Sequence, residues 1–381
     1  MRPADGSGPH PGVLPAPLDR SLAARYRLWG AAALLALVIV GGGLGGYLAL
    51  RSTPPAAPPA ARIALVPPPA IAPPVAAPPV APPAVAPPAP PAPAEFTIQT
   101  ADEATIAAHV PTVLGLFRFQ QNPQILVLDF PSLRQQGLML NRVAAMVEKV
   151  GLPRDRVLTD AELSAAIKAH GDTVESYYYG HDYAAADLAA FFHRADRQGI
   201  KLDPQEELLR RLLTEQGFML PGSRQALISI PRAGVAPGLD ERMRAGILEH
   251  ELSHGEFFSN PAYADYARRF YHSMMPSADR AAFRSFLMRE DYDPAAPDLI
   301  LNETQAYLMN TSDPRLFNAT EVGLSEAELD MLRRRFLAGM PAGWLRDRIA
   351  LKMSRQVAPL AVRSGDAAAT PPAASPAPAH R

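Results

Sequence analysis

Two histidines four residues apart, with a glutamate beside the first, form the stretch of this 381-residue chain best equipped for chemistry: His250-Glu251-Leu252-Ser253-His254. Positions four apart lie one above the other on a helix, so both imidazoles reach a single point, as a bound metal ion requires. Glu251 sits one step round the helix, where its carboxylate reaches a water at the metal's open position without being a ligand itself. Such a set suits metal-assisted hydrolysis, in which the carboxylate takes the proton of the attacking water. The competing reading of the same residues is an amphipathic helix with two partly buried, hydrogen-bonded histidines.

The flanks predict the helix. Asp240 is a good N-cap, Glu241 follows in the first turn, and Met243, Ile247, His250 and His254 recur at helical spacing. Gly246 is expected to allow close packing, and Gly255 to mark the helix end. A catalytic metal site of this type usually takes three protein ligands. The chain has nine His and no Cys, so thiolate ligands are excluded, and no other His follows His254 at short spacing. Glu303, in the largely uncharged stretch of a second helix expected over residues 298–310, is the candidate third ligand. Tyr307 lies one turn beyond it on the same side, placed either to hydrogen-bond a ligand or an oxyanion, or simply to pack. His181 and the tyrosines of residues 177–183, expected in a loop, face the same choice, with packing favoured; Tyr271 and His272 are weaker candidates of that kind. Asp291 and Asp293, the latter before Pro294, read as turn chemistry.

A helix carrying H-E-x-x-H, followed by a second helix carrying the pair Asn302-Glu303, resembles the gluzincin metallopeptidases. The resemblance implies Zn2+ held by His250, His254 and Glu303, with Glu251 as general base and proton shuttle. It further implies an α+β, mostly helical, zincin-like domain with a small sheet and a zinc-binding active-site helix. The match covers roughly residues 225–310 and is one of motifs. The apolar run at residues 225–230 would be the edge strand along which such enzymes lay an extended peptide. This chain departs from the pattern in three ways. Glu249 precedes the first His and Glu256 follows the second by two, where an uncharged and a hydrophobic residue are usual. The gap to Glu303 is nearer that of the longer-gap members. Tyr307 stands where thermolysin-like members carry an Asp bonded to a zinc histidine.

Elements that must position these residues are legible around them. Residues 125–130 read as a buried strand, and Pro131-Ser132 opens a helix running to residue 149. Thr159 and Glu162 form a capping box that starts a helix to His170, and Ser325 and Glu328 form another. Further helices are expected over residues 187–198, 204–216, 261–272 and 277–290.

Composition bounds the rest. A net charge of −1 leaves no basic footprint for nucleic acid. Residues 1–27 are expected to be a disordered cytoplasmic N-terminus. Residues 28–50 carry no charge and are long enough for a transmembrane helix, with Trp29 and Tyr47 near its ends. Arg2, Arg20, Arg25 and Arg27 precede that span, which orients the N-terminus inward; a cleaved signal peptide is the alternative. Residues 51–94 form a Pro/Ala-rich linker, reaching on the order of 130 Å as polyproline II. The folded domain is expected over 95–357 and a disordered tail over 358–381. Together these readings imply a single-pass protein of the inner membrane with a periplasmic or extracytoplasmic domain, a membrane-anchored zinc metallopeptidase acting on protein or peptide substrates in the cell envelope. Two other readings stay open: a non-catalytic envelope or scaffold protein with a structural H-E-x-x-H helix, and a zinc amidase or deacetylase acting on cell-wall material.

Overall fold

The computed structural model describes residues 95–362. The expected N-terminal disorder, membrane span and linker, and all but the first residues of the expected tail, lie outside it. Among the described residues, no helix is long and apolar enough to cross a membrane. The domain is mostly helical with a small mixed sheet, an α+β arrangement.

Two strands set the centre. β3 (Ile125–Phe130) and β5 (Ala226–Pro231) are buried along their whole lengths and pair in parallel, Ile125 opposite Ala226 through Phe130 opposite Pro231. Their near-continuous apolar sequence is what a strand covered on both faces requires. β2 (Gly115–Phe119) pairs antiparallel with β3, and β1 (Gln99–Ala101) lies parallel to β2. β4 (His181–Ala184) pairs antiparallel with β5, giving the order β1-β2-β3-β5-β4. This corrects the expectation for residues 225–230: they form an interior strand, and the edge next to them is β4, drawn from the stretch expected to be a loop.

Alternation along the strands divides the core. Leu126, Leu128 and Leu227 face one layer, built from α2 (Leu133–Val147), α4 (Ala185–Gln198) and α5 (Pro204–Glu215). Ile125, Val127, Ile228 and Ile230 face the other, where they meet Ile247, Leu248 and Leu252 of α6 (Glu241–Ser259). α1 (Glu103–Ala108) lies ahead of β2, and α3 (Asp160–Ala169) follows α2. Beyond α6 a helical layer packs around Phe270, Phe283, Phe286, Phe317 and Phe336. It comprises α7 (Pro261–Arg269), a π-helical turn Phe270–Met274, α8 (Ser277–Arg289), α9 (Pro297–Asn310), α10 (Glu326–Gly339) and α11 (Trp344–Val362). α11 runs five residues into the segment expected to be tail.

Local chemistry starts the helices as anticipated. The capping boxes of Thr159 with Glu162 and Ser325 with Glu328 are both formed, and a third, Asp203 with Glu206, starts α5. Asp240 caps α6 by accepting from the Met243 amide at 2.8 Å. The glycines of α6 play different parts from those expected. A Cβ on Gly255 would come within 2.8 Å of Ile125, so Gly255 is what lets α6 lie close on β3, and the helix continues to Ser259. At Gly246 the same atom meets only ordinary contact distance, 3.4 Å from Asp313.

α6 is also fixed electrostatically. The buried guanidinium of Arg244 donates to both carboxylate oxygens of Asp129 on β3, at 2.8 and 2.9 Å, and to the Pro231 and Ile106 carbonyls at 2.6 and 2.8 Å. His109 Nδ1 lies 2.6 Å from the same carboxylate. A bidentate pair with its remaining donors satisfied is the form in which a buried ion pair is tolerated.

Candidate metal centre

His250 and His254 project from one face of α6, their ring centroids 4.7 Å apart and their Nε2 atoms 3.0 Å apart. α9 packs across this face and brings Glu303 Oε2 to 3.5 Å from His250 Nε2 and 3.6 Å from His254 Nε2. Three ligand-type atoms from two helices thus form a small triangle, and all three residues are buried. Glu303 Oε2 has no hydrogen-bond partner. An unsatisfied buried carboxylate oxygen facing two imidazole nitrogens is an environment that a cation completes.

The orientation of His250 is set from behind. Thr311, just past α9, donates its hydroxyl to the Ala306 carbonyl at 3.2 Å and lies 2.7 Å from His250 Nδ1. With the threonine proton committed elsewhere, Nδ1 is the donor, which leaves the Nε2 lone pair facing the triangle. Burial lowers the His250 pKa to about 4, so the ring is neutral, as a ligand must be. His254 is addressed from the sheet. Its Nδ1, otherwise unpartnered, faces Asp182 Oδ1 on β4 at 3.7 Å. Asp182 reaches α6 because it pairs with Ile228, so both side chains stand on the α6 face of the sheet.

Glu251 is buried beside this triangle, and its Oε2 has no partner. Asp182, Glu251 and His254 form a second group close enough to hold an ion. Burial, then the charges of Asp182, Glu303 and Glu148, push the Glu251 carboxyl well above its ordinary range. Burial raises Asp182 to about 6 and raises Glu303 too, opposed in both by His254. Buried carboxylates this close suppress one another's ionisation, a repulsion that a cation bound among them would relieve.

Tyr307 rests edge-on against His250, centroids 4.7 Å apart, with Phe286 and Phe317 around it at 4.9 and 5.6 Å. Burial, then the charges of Glu290 and Glu303, hold its phenol well above the usual range, and its hydroxyl lies near that of Tyr292. Tyr292 in turn favours the ionised form of Glu303 by hydrogen bonding. The remaining candidates fall elsewhere. His181 points to the opposite face of the sheet, its Nδ1 2.9 Å from Ser229 Oγ and 3.2 Å from the Gln136 amide. His272 is exposed in the π-helical turn, and Tyr271 packs on the helical layer.

The departures from the gluzincin pattern have local explanations. Glu256 accepts from Asn122, Trp344 and Asn260 at 2.6 to 2.7 Å, so a charge is accommodated where an apolar residue is usual. Glu249 accepts from Lys352 and Ser312, each at 2.6 Å. Sequence reasoning passed over Asp182, Thr311 and Tyr292. Only Asp182 left a trace, as the acid within the tyrosine-rich stretch 177–183. Compared with known proteins, the chain matches no family model, no curated protein and no solved structure.

Proposed function

We propose that this protein is a membrane-anchored zinc metallopeptidase that hydrolyses peptide bonds on the extracytoplasmic side, with a zincin-like catalytic domain. The observation that carries the reading is the triangle of His250 Nε2, His254 Nε2 and Glu303 Oε2, with edges of 3.0, 3.5 and 3.6 Å. Ligand atoms about 2.0–2.1 Å from a tetrahedral ion stand about 3.3 Å from one another, the scale of these edges, and two imidazoles with one carboxylate are a catalytic zinc donor set.

Zinc held by His250, His254 and Glu303 would supply Lewis acidity and bring a water within reach of deprotonation near neutral pH. The chain's own groups do the rest. Glu251 takes the proton of the attacking water on its unpartnered oxygen and passes it to the leaving amine. Thr311 holds His250 in the tautomer that presents Nε2, and the Asp182 carboxylate faces His254 Nδ1. Tyr307, kept protonated by burial, is the donor for the developing oxyanion. β4, the last strand of the sheet, offers a main-chain edge to an extended peptide.

The test is metal content of the purified full chain, with His250→Ala and Glu303→Ala alongside, followed by a peptide-library assay using Glu251→Gln as control. One zinc per chain, lost in both ligand variants, and cleavage abolished by Glu251→Gln with metal retained, is the expected result. Full metal retention in Glu303→Ala would remove that ligand. Zinc retained without cleavage of any peptide would favour a structural centre or an amidase or deacetylase reaction.

A further inference from the structure

The metal centre is closed. His250, Glu251, His254 and Glu303 expose 8, 6, 0 and 1% of their surface, so a polypeptide reaches Glu251 only if something over the site moves. The segment Asp291-Tyr292-Asp293, just ahead of α9, is held both by ion pairs and by the packing of Tyr292 on the helical layer. Asp291 is the one non-glycine residue with positive φ among those described, at 72°, a conformation that side-chain-bearing residues adopt at a cost. Its carboxylate meets His170 Nδ1 at 3.0 Å and Lys149 Nζ at 3.6 Å. The Lys149 ammonium is buried and lies 4.6 and 4.7 Å from the ring centres of Tyr177 and Tyr178. Lys149 and Tyr292 face each other across an isolated antiparallel bridge. Asp293 meets Arg154 at 3.0 Å, and Arg154 also donates to the Met146 and Glu148 carbonyls.

These contacts tie the end of α2 and the tyrosine loop, on the sheet side, to the start of α9, on the helical side. Both tied segments lead to the centre: Tyr292 acts on Glu303, and the tyrosine loop ends at Gly180, whose Cα backs onto Glu251. We propose that this clasp is the gate of the metal centre, with Asp291–Asp293 parting from Lys149, His170 and Arg154 to admit substrate and re-forming over it. A strained aspartate, a desolvated lysine and a short bridge make a closure that opens locally, with Tyr292 lifting from its packing on the helical layer. The inference rests on the metallopeptidase reading for what passes the gate, but the opening itself is measurable without it.

Hydrogen–deuterium exchange on the full chain, wild type against Asp291→Asn, reads the clasp directly. Exchange at least five-fold faster in both residues 170–180 and 288–296, with β3 and β5 unchanged, is expected. No change, or faster exchange spread through β3 and β5, overturns the gate. Because the chain has no Cys, Lys149→Cys/Tyr292→Cys supplies a reversible lock. In the zinc-loaded double variant, transfer of metal to excess chelator should be at least ten-fold slower when oxidised than when reduced, and equal rates overturn the proposal. A full chain that takes up no zinc refutes the metallopeptidase reading, and the exchange comparison still decides the gate.

Discussion

Gly180→Ala offers a way to move Glu251 without touching it. Gly180 leads into β4, and a methyl built there would lie 2.0 Å from Glu251 Oε1, 2.8 Å from its Cδ and 3.1 Å from Ile247 Cγ2. Non-bonded heavy atoms settle at about 3.5 Å or more, so the carboxylate must retreat by at least about 1 Å. What retreats is the end of a flexible side chain, so the fold should lose no more than about 1 kcal/mol. Catalysis is less forgiving, since a displacement of about 1 Å costs on the order of 100-fold in rate, or about 2.7 kcal/mol in the barrier. The assay is threefold: bound zinc, thermal midpoint, and steady-state cleavage of a fluorogenic peptide chosen from the library. Zinc content and midpoint should stay near wild type while kcat falls about 100-fold. Glu251→Asp shortens the side chain and makes room for the methyl, so the double variant should be no slower than Glu251→Asp alone. Wild-type turnover in a folded, zinc-loaded Gly180→Ala protein would refute the placement of Glu251 as base, and loss of zinc would mean that Gly180 supports the ligands instead.

Other variants probe the supports. Thr311→Val keeps the shape but removes the acceptor 2.7 Å from His250 Nδ1; zinc affinity measured against a chelator should weaken about 10- to 100-fold, and unchanged affinity would free His250 from that partner. Arg244→Met leaves the Asp129 carboxylate buried with His109 alone and should lower stability in urea by about 3–5 kcal/mol; a loss below 1 kcal/mol would contradict the role given to this pair. His181 is held neutral by burial with its pKa lowered to about 3. Its unfolded form protonates below about 6.5, so its contribution is complete above that pH and fades as pH falls toward 3. The stability advantage of wild type over His181→Asn should therefore shrink by about 2 kcal/mol between pH 8 and pH 5, the buried carboxylates with raised pKa values acting alike in both proteins. A constant difference across that range would mean that the ring is already protonated or solvated in the fold.

What could be read from the sequence was what local chemistry decides. The caps at Ser132, Thr159, Asp240 and Ser325 are contained in a few consecutive residues, as is the pairing of His250 with His254 one turn apart. Glu303 stood out because a charge in an uncharged helix needs a reason, and the structure brings it to both histidines. Asp182 and Thr311 could not be read the same way: one reaches the centre through the register of β4 on β5, the other by following α9 back past α6. Residues 225–230 read as an edge, although Ala226 to Ile230 are all buried; a nearly continuous apolar run is the pattern of a strand covered on both faces. The tyrosine-rich stretch hid β4 because a strand of four residues leaves too short a pattern to separate from a loop.

The placement of Tyr307 gains its meaning from Asp182. In the gluzincin pattern the carboxylate that steadies a zinc histidine comes from the same helix as the ligand glutamate, and so moves with it. Here α9 supplies an aromatic ring that packs on His250 among Phe286 and Phe317, and the carboxylate facing His254 comes from the last strand of the sheet. Under the metallopeptidase reading, a peptide that pairs with β4 engages the same four-residue strand whose Asp182 addresses His254. A strand this short cannot shift to accept a partner without carrying Asp182 along. Substrate registration and ligand orientation are then coupled through one element, so perturbing the β4 backbone should change zinc affinity and peptide preference together.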